Sequence, residues 1–447
     1  MEVVYERCAG IDIHKKMVQV CCITRDERGR RHKEQRRFAT KTQDLFDLST
    51  WLKTQGCTHV AMESTGVYWK PVYNILEGEF EMLVVNAHHL KTVPGRKTDV
   101  NDAEWIADLL QHGLLKASFI PSAPQRELRE LTRYRVSLVE ERTRTVNRLQ
   151  KTLEDTNLKL GDVVSDVLGK AARSILEAVR DGESDAKRLA ALAQGRVRTA
   201  PEDLERALVG HVTLHHRFML GEHLRHIDEL DASITRVTQE IGRRLLLPDP
   251  PPEGEQGTGE TPEATPVESS EGDVPSARTP LDWQEAVTLL DSIPGINERA
   301  AQCILAEIGL DMTRFASDKH LASWAGVCPG NHESAGKRLS GKTRKGDPWL
   351  RRVLVQAAHG AARSKNTYLA AQYWRLASRR GPKRAAMAVA HSILVIIYHV
   401  LSERTGYREL GGNFFDERDR QATEKRLVRR LEGLGYHVEL QTEREAS

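Results

Sequence analysis

Sulfur is scarce in this chain and carries no metal pattern. Six cysteines (Cys8, Cys21, Cys22, Cys57, Cys303 and Cys328) occur in 447 residues, none in CxxC spacing. That argues against a zinc site or a disulfide framework and fits a reducing, cytoplasmic setting. No run of about 18 apolar residues is present, so no membrane span is expected. The start, "MEVVYERCAG", lacks the apolar core of a secretory signal. A strong charge of one sign is also missing, since the net charge is only +3. That near-balance is deceptive. Residues 249–280 hold eight acids (Asp249, Glu253, Glu255, Glu260, Glu263, Glu268, Glu271, Asp273) and one base, Arg278. Without their net −7 the rest carries about +10, which favours a polyanionic partner.

At this length two or three domains are expected. The segment "PDPPPEGEQGTGETPEATPVESSEGDVPSARTP" is rich in Pro, Gly, Glu, Ser and Thr and nearly free of large apolar residues. It has too little to bury to offset its ordering entropy, and it reads as a disordered acidic linker over 248–281. Before it, residues 1–121 read as three adjacent strands, then helix, strand, helix, strand. This is an α/β pattern with the element order of a ribonuclease H-like fold, a β-meander followed by parallel strands with crossover helices. Residues 122–247 read as long amphipathic helices, expected to form an antiparallel coiled coil. Residues 282–411 read as a mainly α-helical domain. It opens on "LLDSIPGINERAA", a helix–turn–helix resembling a helix-hairpin-helix, whose turn and second helix N-terminus suit a phosphate. Residues 412–447 read as a charged tail.

Two spots carry chemistry. In "CAGIDIHKK" the acid Asp12 stands between Ile11 and Ile13, so it belongs on a buried strand, and a buried lone charge needs a partner or a metal. Glu63 ends the strand "HVAMEST", a neighbour of the first strand in this fold. In "GRKTDVNDAEWIADLL", Asp99 and Asp102 are three apart at a helix start, on one face. Asp99 also suits a plain helix cap, and Asp108 on the same helix reads as solvated. Together the four carboxylates make an oxygen-rich set suited to Mg²⁺, and paired ions of that kind stabilise both oxygens of a phosphoryl displacement. Lys70, Arg96 and Lys97 lie close by in sequence and suit a phosphate backbone.

The second spot is "CPGNHESAGKRLSGKTRKGDPWLRR". From Asn331 to Arg352 it holds seven bases and two acids, with glycines that let the backbone approach a ligand. Lys337, Arg338, Lys342, Arg344 and Lys345 mark it as a nucleic-acid contact. Ser334 and Ser340 are both eligible nucleophiles on composition.

At these residues the chain resembles the insertion-sequence-110 family of transposases. The stretches that carry the resemblance are "GIDIHKK", "MESTGVYW", "VVNAHHLKTVPGRKTDVNDAEWIADLL", "LDSIPGI", "LASWAGVCPGNHESAGKRLSGKTRKGDPWLRRVLVQAA" and the run through "HSILVIIYHVL". The resemblance implies a RuvC-like domain whose DEDD tetrad falls on Asp12, Glu63, Asp99 and Asp102. It implies a serine, here Ser334 in "SAGK", that attacks DNA; this chain has Ala335 where the family often has Gly. It also implies donor and target DNA, a structured noncoding guide RNA and assembly as a dimer of dimers. The composite site would join two subunits, and the setting would be the bacterial cytoplasm at the nucleoid. The acidic linker has no counterpart in that pattern. Three rivals share parts of the reading. They are a junction-resolving hydrolytic nuclease of RuvC-like type using water, an architectural nucleic-acid-binding protein, and a sugar-kinase-like ATPase. The last would want Gly-rich phosphate loops that "IDIHKK" does not provide.

Overall fold

Two apolar runs and one base-rich polar run in the first forty positions form three strands that hydrogen-bond in sequence order. The computed structural model describes residues 2–26, 28–64, 66–86, 90, 102–193, 197, 199–246, 281–330, 332–334, 337–343 and 345–440. They divide into two units, one ending at Ser122 and the other starting at Ala123.

In the first unit β1 (Cys8–Ile13), β2 (Met17–Arg25) and β3 (Arg31–Ala39) form the meander. β4 (His59–Glu63) and β5 (Glu81–Val85) add to the other side of β1. The order is β3-β2-β1-β4-β5. β1 runs antiparallel to β2 and parallel to β4, and β4 runs parallel to β5. The first and fourth strands are therefore neighbours, as the sequence led us to expect. Helices α1 (Thr42–Thr54) and α2 (Trp69–Leu76) cover one sheet face, where Ile11, Val20, Leu48 and Met62 are buried. Helix α3 (Asp102–Gln111) covers the other, over Cys8, Cys21 and Ala61. The N-terminal domain is thus a mixed α/β sheet.

The second unit is largely helical. The two long helices expected from apolar spacing are α4 (Ala123–Asp155) and, after four short helices, α9 (Leu214–Leu245). The short helices are α5 (Leu160–Val163), α6 (Lys170–Asp181), α7 (Ala186–Ala191) and α8 (Pro201–Ala207). They pack a core of their own against the ends of α4 and α9 around Leu149, Ile175, Leu204 and Leu224. Ion pairs join Glu127 to Arg244, Arg142 to Asp231 and Asp155 to His216. Partner numbers fall along one helix as they rise along the other, so α4 and α9 are antiparallel.

The rest comprises α10 (Trp283–Asp291), α11 (Glu298–Ile308), α12 (Asp318–Trp324), α13 (Pro348–Ala361), α14 (Tyr368–Arg380) and α15 (Pro382–Glu403). A hairpin of β6 (His332–Ser334) and β7 (Lys337–Ser340) is inserted before α13. The "IPGI" turn between α10 and α11 places Gly295 at φ +92° against α13, where an added Cβ would meet the Ala357 carbonyl oxygen at 2.2 Å. By length and composition helix α15 is apolar enough to cross a membrane. Its buried residues, among them Val389, Ile393, Leu394 and Ile397, instead belong to the core shared with α10, α11 and α13. The tail beyond it folds into α16 (Phe414–Arg418) and α17 (Arg420–Glu432).

Candidate active site

Asp12 is the fifth of six residues in β1 and the one partly exposed residue of that strand. Strand alternation puts it on the same face as Cys8 and Gly10, the face under α3. Parallel register pairs Ile11 with Met62, so the next residues along, Asp12 and Glu63, stand side by side on that face. Both lie at the carboxyl ends of parallel strands, where α/β sheets place their ligands.

Helix α3 brings the third acid. Its C-terminal end accepts from Val4 and Tyr5, and the Cys8 thiol donates to Ala107 O at 3.8 Å. It therefore runs against the direction of β1, with Asp102, its first residue, at the Asp12 end. Gly10 makes this approach possible. A Cβ there would lie 2.3 Å from both Ala103 O and Ala107 N.

The electrostatics record the convergence. The Asp12 carboxyl is raised above its ordinary value, first by burial and then by the charges of Asp102 and Glu63, while His14 opposes the shift. His14 Nε2 lies 3.2 Å from Asp12 Oδ2. All three acids are oxygen donors gathered at the cost of mutual repulsion, which is the donor chemistry a hard divalent cation relieves. The residues present therefore fit such an ion. They are not closed around one: among the described residues, no group of three or more His, Cys, Asp or Glu side chains is close enough to hold a metal.

Asp99 lies outside the described residues, as do Arg96, Lys97 and Arg344. Lys70 is exposed in the first turn of α2, which follows Glu63 by one loop. The other acids of α3 are already occupied. Glu104 pairs with Lys33, and Asp108, expected to be simply solvated, pairs with Arg31. Both partners stand on β3, a cross-sheet relation that helix periodicity does not reveal. In the second unit Ser334 closes β6 and pairs in register with Lys337, the first residue of β7. Arg338 follows on β7, Lys342 is the second residue beyond that strand, and Lys345 is the third before Pro348 opens α13.

Sequence comparison adds two family models, both of transposases. One, a DEDD transposase domain, matches residues 9–158, and the other, "Transposase IS116/IS110/IS902 family", matches residues 287–375. A protein of Pseudomonas aeruginosa described as a family 20 transposase is 25% identical over 412 residues, covering 89% of this chain and 98% of that protein. The transposase for insertion sequence element IS1111A of Coxiella burnetii is 32% identical over 123 residues, 27% of this chain and 34% of its own.

Proposed function

Since the chain belongs to the IS110 family of transposases, enzymes that act on DNA, we propose that it cuts and rejoins DNA with Asp12, Glu63, Asp99 and Asp102 as a metal site and Ser334 as the nucleophile. The observation that carries this reading is the placement of Asp12, Glu63 and Asp102 at one end of β1 and β4, with the Asp12 carboxyl raised first by burial and then by the charges of the other two. The DEDD class of the domain supports dependence on a divalent metal, and we assign Mg²⁺. Bound there, Mg²⁺ would supply polarisation of the scissile phosphodiester.

The chain's own groups have the following roles. Asp12, Glu63 and Asp102 stand at the same end of the sheet because β1, β4 and the start of α3 meet there. His14 orients one Asp12 oxygen. The Ser334 oxygen bonds to phosphorus as the P–O bond to the leaving deoxyribose oxygen breaks, and the serine proton ends on that oxygen as a free hydroxyl. The phosphoserine conserves the bond energy, and a hydroxyl from the partner strand later displaces the serine. Lys70, Arg96, Lys97, Lys337, Arg338, Lys342, Arg344 and Lys345 neutralise phosphates around these steps. Fold details belong to the same reading: a ribonuclease H-like (RuvC-like) domain, α4 and α9 as a coiled coil joining subunits, and α10–α11 as a helix-hairpin-helix. So do donor and target DNA, a structured guide RNA and a dimer that pairs into a tetramer.

The test is a cleavage reaction with Mg²⁺, the neighbouring noncoding RNA and labelled donor and target DNA. A denaturant-resistant protein–DNA adduct should form and should be lost in both Ser334→Ala and Asp12→Ala. Cleavage that persists in Ser334→Ala without an adduct would instead identify a RuvC-like hydrolytic endonuclease using water.

A further inference from the structure

A cavity of about 940 Å³ lies wholly within the second unit, walled by the loop after β7 and by α13, α14 and α15. Lys342, Arg351, Lys383, Arg384 and His391 face it, and no carboxylate is among its described lining residues. The adjacent Arg352 instead pairs with Glu140. Lys383 and Arg384 are exposed and sit in the first turn of α15. Cations at a helix N-terminus oppose the helix dipole, so this placement does not serve the helix. A bound anion reverses that penalty by pairing with both cations and with the free amides of the first turn. Deeper in the wall, the Gln372 amide donates to Ser392 Oγ at 2.9 Å, while its oxygen is buried with no described hydrogen-bond partner. Several cations from α13, α15 and the loop after β7 around one cavity suit a polyanionic strand better than a lone anion.

The cavity is also the root of the serine hairpin. Pro329 and Gly341–Thr343 line it, and the Gly330 amide donates to Lys342 O at 3.2 Å where the two chain ends meet. From Lys337, the register partner of Ser334, to Gly341 the strand rises about 13 Å at about 3.3 Å per residue. That equals roughly four nucleotides at about 3.4 Å per nucleotide of one strand. We propose that this cavity, through Arg351, Lys383 and Arg384, grips the DNA backbone about four nucleotides from the phosphate that Ser334 attacks. The spacing rests on the serine reading; the grip itself does not.

The test uses the full chain with chelator present and short duplex DNA and RNA as probes, measuring Kd across a salt series. The double variant Lys383→Ala/Arg384→Ala should lower the slope of log Kd against log salt on DNA by roughly 1.8, at about 0.9 per lost phosphate contact. Its thermal midpoint should stay unchanged, since both side chains are exposed. With metal and guide RNA restored, a single methylphosphonate about four nucleotides from the adduct should weaken wild-type binding and leave the variant indifferent. An unchanged slope on DNA, or a change confined to RNA, would overturn the proposal. A lowered slope together with loss of the expected Ser334 adduct would retain the grip and remove the spacing.

Discussion

Asp12 illustrates how one residue can be stabilising for function and costly for folding. Its carboxyl is raised by burial and by two neighbouring acids, so the native state prefers the protonated form. The sign follows from linkage. Stability from this group is fullest below the ordinary carboxylate range and is lost as pH rises through the raised value. In chelator at neutral pH, Asp12→Asn should therefore raise the thermal midpoint, by on the order of 2 °C. The gain should vanish near pH 3, where wild type is protonated in either state. Added Mg²⁺ should stabilise wild type more than the variant. Differential scanning calorimetry decides it: an Asn variant no more stable than wild type at neutral pH would mean that the three acids do not crowd one another. Asp12 was legible in the sequence because an acid flanked by two isoleucines in an apolar run marks a carboxylate carried on a buried strand. Glu63 was legible only through the assumption that the first and fourth strands pair.

At the scale of elements, the long helix α4 is fixed to the C-terminal helices by charge. Glu307 on α11 has a nearly buried side chain and takes a bidentate contact from Arg133 at 2.7 and 2.8 Å, with Arg129 at 3.1 Å. Arg133 also reaches Asp347, which caps α13 through the amides of Trp349 and Leu350. Arg135, itself buried, donates to Gln302 at 2.7 Å. Burial outweighs the guanidiniums and lifts the Glu307 carboxyl above its usual range, and it lowers Arg129. Removing one side of such a cluster strands the other. Glu307→Ala should cost about 3 kcal/mol in chemical denaturation, and Glu307→Met less, because it fills the same space. A loss under about 1 kcal/mol for the alanine variant would make the cluster equivalent to a surface pair. These arginines looked like members of a solvated, charge-dense stripe. Nothing in their spacing distinguished them from Arg142 or Arg148, because their partners lie more than 160 positions away.

Across the whole molecule, the acidic segment connects two parts of one core. Leu245, which ends α9, and Leu281, which precedes α10, are buried in the same apolar cluster. Replacing residues 249–280 by about a dozen Gly and Ser residues, with an end-to-end reach of roughly 19 Å, should leave the thermal midpoint unchanged or slightly raised. Loop closure is worth only about 0.6 kcal/mol per halving of length. Loss of the segment's net −7 should tighten DNA binding at low salt, with the difference disappearing as salt screens it. A lowered midpoint in the shortened chain would show that the segment contributes to folding.

The sequence alone determined the strand run, the two long helices and the acidic composition of 249–280, and it singled out the residues proposed for the chemistry. Each of these rests on local periodicity or on residue type, which are properties of neighbouring positions. Tertiary structure decided which acids meet. It set α3 across β1 over Gly10, delivered Asp102 to Asp12, and drew Glu104 and Asp108 away to β3. It also decided that α4 and α9 share a core with the C-terminal helices, and that cations from the loop after β7, α13 and α15 line one cavity. Such juxtapositions come from packing between segments far apart in the chain, where burial, register and charge pairing act on distances that no local pattern encodes.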